Sequence, residues 1–377
     1  QALQSVTPRA PAEGAAVAMA ALALAPAAGL PVGHLAPDAG TSLPGVASVK
    51  LSDGLVENLA VGKVYRDHKG PVTGLDFTYD GLHLVTSGED SGVYVYSCDR
   101  AQRTRHLRCE KYGVGMIRFL HNDKDCAVAA SRREADHVLK YWDLHENKYL
   151  RLFRSHAARA TSLSPHPYED LFLSGSEDRT VLLWDLRQDR PVAKINGQGP
   201  SVASFDQQGL VFAAGVGQPK IHLFDTRNYA KGEFTSFDLT PHLKGSPLAH
   251  FVQFSPCGKY LLVRTATQLV LIDAFDGELI CEYPVAGSKV EVAAVAAAGT
   301  PSPPAPGFSP DSQYVISGIP GGDVCIWATT NARLVHRLEG HTALPSRVAF
   351  SPAHALVVTA AETLAWWIPD AAARVAS

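Results

Sequence analysis

The sequence predicts an all-β fold, a seven-bladed β-propeller closed into one ring, and three observations point there. A short apolar ending recurs along the chain: Val95-Tyr96-Ser97, Tyr141-Trp142-Asp143, Leu182-Leu183-Trp184-Asp185-Leu186, Leu223-Phe224-Asp225, Leu271-Ile272-Asp273, Ile326-Trp327-Ala328 and Trp366-Trp367-Ile368. Its anchors Tyr96, Trp142, Trp184, Phe224, Ile272, Trp327 and Trp367 stand 40 to 55 residues apart, the period of a Trp-Asp propeller blade with occasional loop insertions. Strand-period runs dominate, and no long helical stripe competes with them. Finally, the residues after Pro369 are Ala-rich and offer no outer strand for the last repeat, whereas residues 59–66 (Leu-Ala-Val-Gly-Lys-Val-Tyr-Arg) form an unpaired candidate upstream of the first. Pairing the two closes the ring and removes the open edges that invite aggregation.

Residues 1–48 are rich in Ala, Pro and Gly without periodicity. Such a composition lacks the large side chains that offset ordering entropy, so it reads as a disordered extension. Within it, residues 15–25 follow Arg9 and have the look of a signal-peptide apolar region, but the chain starts at Gln1 and its terminus carries no targeting argument. Residues 49–370 hold the repeats. In the first, strands are expected at 72–77, 82–86 and 93–96. The third is the clearest: an inner strand at 160–164, a turn from His166-Pro167, a strand at 171–175, a tight turn at Glu177-Asp178-Arg179, a strand at 181–184 and an outer strand at 190–195. Four antiparallel strands make one blade. A second Ala/Pro-rich stretch, 293–307, reads as an insertion that disrupts the inner strand of the sixth blade and lengthens that interval. Residues 371–377 are a tail.

Length alone allows two domains in 377 residues, but repeats grow by addition and one ring accounts for them. The net charge of −3 and the lack of a long basic run leave out the global signature of a nucleic-acid binder, and sequence-specific nucleic-acid binding is not expected. Cys98, Cys109, Cys126, Cys257, Cys281 and Cys325 are scattered with no C-x-x-C pair, so reduced thiols are expected and no metal. No apolar run suggests a membrane span.

His156, Ser174, Asp178 and Trp184 have the spacing of the hydrogen-bonded tetrad that fastens a blade of this type. A His-Ser-Asp set also invites a hydrolase reading. The fastening role is preferred because the set recurs, with His68, Thr86, Asp90 and Tyr96 in the first repeat and His341, Thr359 and Trp367 in the last. Buried polar groups need partners, and an imidazole between a carboxylate and a hydroxyl satisfies several at once. Gly215-Val216-Gly217 and Gly318-Ile319-Pro320-Gly321-Gly322 lack the Lys-Ser/Thr of a phosphate loop and read as strand turns. Gly307-Phe308-Ser309-Pro310-Asp311 lacks the final glycine of a nucleophile elbow. The expectation is a protein that is not an enzyme and uses no cofactor.

Arg132, Arg133, Arg154 and Arg159, with Lys148 and Arg151, make residues 130–160 basic. A solvated face is the simplest reading. The alternative is a dock for an acidic or phosphorylated peptide, since the guanidinium fork suits phosphate oxygens. Arg132, Arg133, Arg159 and Arg179 are the candidate partner contacts, by charge and loop position. Trp184-Asp185-Leu186-Arg187 also looks like the W-D-x-R box of propellers that dock on cullin-RING ubiquitin ligases, making Arg187 a candidate contact for an alternative role as a substrate receptor.

Lys111-Tyr112-Gly113-Val114, the stretch from His145 through Asn147-Lys148-Tyr149 to Arg151, residues 209–216, Leu271-Ile272-Asp273-Ala274-Phe275 and Ser309-Pro310-Asp311-Ser312-Gln313 go beyond generic repeats. Together they resemble the WD-repeat protein 82 family, the Swd-two type, in one register over about residues 49 to 370. The resemblance implies a non-catalytic nuclear scaffold subunit of a COMPASS-type histone methyltransferase complex. Implied partners are a SET-domain methyltransferase, other COMPASS subunits and, directly or through others, the phosphorylated tail of RNA polymerase II. Complexes of RNA 3′-end processing, transcription termination and protein phosphatase one are further implied settings. The chain departs from the family pattern at 1–48 and 293–307.

Overall fold

The computed structural model describes residues 22–24, 47–121, 125–132, 137–243, 248–285 and 303–370. Seven four-stranded antiparallel sheets form the ring. Blade 1 comprises Val72–Phe77, His83–Gly88, Gly92–Ser97 and Gln102–Arg108. Blade 2 follows with Met116–Phe119, Cys126–Ala130, Leu139–Asp143 and Lys148–Phe153, and blade 3 with Ala160–Pro165, Leu171–Ser176, Thr180–Asp185 and Ala193–Asn196. The outer strand of blade 3 starts later than 190 because Pro191 has no N–H to give the ladder; pairing begins at Ala193 opposite Leu183.

Blade 4 is Ser201–Phe205, Val211–Val216, Lys220–Asp225 and Thr235–Asp238, and blade 5 is Phe251–Phe254, Tyr260–Arg264, Leu269–Asp273 and Leu279–Tyr283. In blade 6 the inner strand has shrunk to Gly307–Phe308, beside Tyr314–Gly318, Val324–Ala328 and Leu334–Leu338. Most of the insertion read at 293–307 lies outside the described residues. Its last part is tied down, with Ala305 bridging to Arg347 of blade 7. Blade 7 is Arg347–Phe350, Val357–Ala360, Leu364–Pro369 and, as outer strand, Leu59–Tyr65. The closing ladder is antiparallel, from Leu59 opposite Pro369 to Tyr65 opposite Leu364.

Two elements escape the periodicity. Leu22–Leu24 pairs in parallel with Ala47–Val49, so the stretch read as a disordered extension contains a short ladder; the rest of 1–46, like the tail 371–377, lies outside the described residues. A five-residue helix, Asp53–Glu57, buries Val56 and leads into the closing strand. Its Asp53 accepts a hydrogen bond of 2.6 Å from the Tyr314 hydroxyl and pairs with Arg333, fixing the entry to blade 7 against blade 6.

The core consists of seven apolar layers, one in each seam between neighbouring blades. Blade 3 contributes Leu182 and Trp184 to its seam with blade 2, and Leu173, Val181 and Leu183 to its seam with blade 4. This alternation is the period-2 pattern of a strand buried on both faces. Gly217 shows why the glycine-rich turn of blade 4 is structural: its φ is +78°, and a β-carbon there would fall 2.0 Å from the Gly199 nitrogen.

Candidate functional site

Strand register sorts the loops onto two rims. The turn between the second and third strands of a blade lies at one end, with the connection to the next blade; in blade 3 this end holds Ala160 opposite Ser176 and Thr180 opposite Asn196. The first and last hairpin turns of each blade lie at the other end, where Leu171 faces Asp185. We call these the upper and lower rims.

The complete tetrad stands at the upper end of blade 3. His156 Nδ1 lies 2.8 Å from Asp178 Oδ2, His156 Nε2 lies 2.7 Å from Ser174 Oγ, and Trp184 Nε1 donates to that same oxygen at 2.8 Å. A carboxylate only accepts, so Nδ1 carries the proton, Nε2 accepts from the serine, and the serine accepts from the indole. Burial pushes the His156 pKa down against the pull of Asp178, consistent with a neutral ring. Asp178 also caps the turn through the Ala157 and Thr180 amides. Ser174 is fully buried, and its hydroxyl is held between the His156 ring and the Trp184 indole.

Blade 1 repeats the set with one change. His68 meets Asp90 at 3.1 Å and Thr86 at 2.9 Å. Tyr96, expected at the tryptophan's place, sends its hydroxyl to Asp67 Oδ2 at 3.0 Å, because a phenol carries its donor at the tip of the ring. Asp67 also takes Arg103 at 2.6 Å. In blade 7, Thr359 accepts from Trp367 at 2.7 Å and meets His341 at 2.7 Å. The turn that carries the aspartate in the other two blades is two residues shorter here, running Ala361-Glu362-Thr363, and burial alone pushes the His341 pKa down to about 4.

Blade 2 is fastened by groups that the periodicity does not reveal. Lys140 is fully buried; its ammonium donates to the Gly113 carbonyl at 2.7 Å and lies 5.3 Å from the centre of the Tyr112 ring and 6.0 Å from that of Tyr149. Trp142 Nε1 donates to Asn147 at 3.3 Å. The Tyr112-Gly113 and Asn147-Lys148-Tyr149 stretches thus meet around one buried cation. The usable signal was strand parity, since Lys140 lies two residues before the buried Trp142 on the same face.

The arginine candidates separate. Arg159 and Arg179 are exposed on the upper rim of blade 3. Their backbones are held: the Arg159 carbonyl accepts from Ser176 Oγ at 3.0 Å and from the Glu177 amide, and Arg179 occupies the left-handed region at φ 68°. Among the described residues neither guanidinium meets a carboxylate. Arg132, on the same rim, is paired with Glu89 of blade 1. Arg133 lies outside the described residues. Arg187 falls on the lower rim, where Nε and Nη2 each donate to Asp185 at 2.9 Å. That fork holds the arginine of the W-D-x-R box against its own strand end. Among the described residues no group of His, Cys, Asp and Glu is placed to hold a metal ion, and the six cysteines are free.

Residues 60–97 and 147–185 match the family described as WD domain, G-beta repeat. These segments end in blades 1 and 3, where the His-Asp pairs stand. WD repeat-containing protein 82 of Drosophila melanogaster is 34% identical over 327 residues, 85% of this chain and 98% of the relative. The COMPASS component SWD2 of Saccharomyces cerevisiae is 30% identical over 315 residues, covering 80% and 92%. The Set1 complex component swd2 of Schizosaccharomyces pombe is 32% identical over 263 residues, covering 68% and 71%.

Proposed function

The chain belongs to the family of WD repeat-containing protein 82 and SWD2, and from that premise we propose that it is a non-catalytic subunit of a nuclear COMPASS-type histone methyltransferase complex. A propeller ring is a rigid support for loops, and binding function concentrates on loops so supported. What carries the reading is the joint likeness to two Set1/COMPASS components across most of the ring. The upper rim of blade 3 supports it: Arg159 and Arg179 are exposed cations on fixed backbones, without carboxylate partners among the described residues, suited to an acidic or phosphorylated segment.

In this reading the SET-domain subunit performs the chemistry and this chain holds it within the assembly. Coupling to the phosphorylated polymerase tail, and membership of termination, 3′-end processing or phosphatase-one complexes, are finer parts of the same proposal. Affinity capture with the tagged full chain from nuclear extract, read by mass spectrometry, tests it. Recovery of a SET-domain methyltransferase is expected. Recovery of neither that enzyme nor a termination-complex subunit by a folded ring overturns it. The cullin-ligase alternative gains nothing from Arg187, whose fork is already directed at Asp185.

A further inference from the structure

Tyr79 and Tyr168 sit at the tips of the first hairpins of blades 1 and 3, on the lower rim, and are 73% and 47% exposed. Both tips are locked. Thr78 Oγ1 donates to Asp80 Oδ1 at 2.6 Å, and the Leu82 amide donates to the same oxygen at 2.9 Å. In blade 3 the buried ring of His166 does this work: Nδ1 accepts from the Tyr168 and Glu169 amides at 3.1 and 2.9 Å, while Nε2 donates to the Gly209 carbonyl of blade 4 at 3.0 Å. An exposed aromatic ring on a fixed turn loses little freedom on binding, which is the property of an interface anchor.

The surroundings of these rings are acidic. Tyr79, Tyr168 and Asp206 stand in the first hairpin turns of blades 1, 3 and 4, all on the lower rim, and burial, then the Tyr79 hydroxyl and the Asp206 carboxylate, raise the Tyr168 pKa. Glu169 and Asp170 follow Tyr168 directly, and among the described residues neither carboxylate has an ion-pair partner. Arg187, the cation whose pKa those two carboxylates help to raise, is held by Asp185. Rigid tyrosine faces beside carboxylates that form no ion pair among the described residues match one chemistry, a cation on a flexible apolar stem.

We propose that the lower rim of blades 1 and 3 docks an extended, cationic segment of a partner protein. Its lysine or arginine heads lie over Tyr79 and Tyr168 and pair with Glu169 and Asp170. The surface is separate from the upper rim and does not depend on which complex the chain joins.

Fluorescence anisotropy with the full chain and three labelled twelve-residue peptides, alternating Arg-Ser, Gln-Ser and Glu-Ser, tests this. The Arg-Ser peptide is expected to bind and the other two not. The double variant Tyr79→Ala/Tyr168→Ala should weaken binding about tenfold, and Glu169→Gln/Asp170→Asn should weaken it and flatten its salt dependence. Tyr79→Phe/Tyr168→Phe, which keeps the ring faces, and Arg159→Ala/Arg179→Ala, on the opposite rim, should both bind like the unaltered chain. Circular-dichroism melting confirms that each variant is folded. The proposal fails if the alanine pair leaves binding unchanged or if the Gln-Ser peptide binds equally well. It also fails if sedimentation shows that the tyrosines hold two copies of the chain together.

Discussion

Blade 3 and blade 5 share a backbone plan and differ in how the plan is fastened. In blade 3, Trp184, Ser174, His156 and Asp178 form a continuous hydrogen-bonded chain from the strand end to the upper turn. In blade 5, strand register puts Val263 where blade 3 has Ser174 and Ile272 where it has Trp184, and Ala266 replaces the aspartate. Val263 and Ile272 are both fully buried and pack in the same seam, the one shared with blade 4. Blade 4 follows the apolar pattern with Ala214 and Phe224, and blade 6 lies between the two schemes. It keeps Trp327 and, ten residues earlier, the fully buried Ser317, but that hydroxyl donates to the Gly318 carbonyl and among the described residues the indole N–H has no partner. A polar chain and an apolar pack therefore both fit one blade, and what the fold penalises is a mixture, since an orphaned buried donor costs more than an apolar replacement of both partners.

Truncating the two strand ends tests this contrast most strongly. Trp184→Ala should cost about 4 kcal/mol and Ile272→Ala about 3, read from urea unfolding midpoints. The excess at blade 3 reflects the loss of a donor to the buried Ser174; equal costs would mean that the chain contributes only packing.

The next test uses pH. His341 is buried without a carboxylate, and its folded pKa of about 4 lies below the ordinary value of 6.5. The unfolded chain takes up this proton first, so the contribution is complete above pH 6.5 and is lost as pH falls toward 4. Its size is roughly 3 kcal/mol. His341→Phe should flatten that part of the stability profile. A profile unchanged by the substitution would remove the distinction between blade 7 and blade 3, whose His156 has Asp178 beside it.

Asp178→Asn is the smallest of the three. It keeps an acceptor for His156 but weakens the charge-assisted bonds to the Ala157 and Thr180 amides, for about 1 to 2 kcal/mol by thermal or urea unfolding. No measurable loss would show that the turn holds without the carboxylate's charge.

Blade number and ring closure were legible because both rest on periodic signals: seven strand endings, and one surplus strand for one deficient blade. The rims were not. Arg179 and Arg187 are eight residues apart in sequence, yet the strand Thr180–Asp185 separates them by about 20 Å at ordinary strand rise. Charge and loop position named Arg179 and the W-D-x-R box named Arg187, and neither signal says which rim a side chain faces. Lys140 was hidden for another reason. A lysine in a strand reads as solvent-facing, and only the meeting of Tyr112 and Gly113 from a loop with Tyr149 from the outer strand gives its ammonium somewhere to point. Asp67 was missed because the Tyr96 donor reaches beyond the tetrad spacing.

The ladder between Leu59–Tyr65 and Leu364–Pro369 also sets a clock on biosynthesis. The closing strand leaves the ribosome roughly 300 residues before its partner, an interval of about 15 to 60 seconds at ordinary elongation rates. Throughout it, Trp366 is missing from the seam shared by blades 1 and 7, and the nascent arc keeps an open edge at each end. Completion of the ring is therefore timed by translation of its last blade, however fast the earlier blades fold.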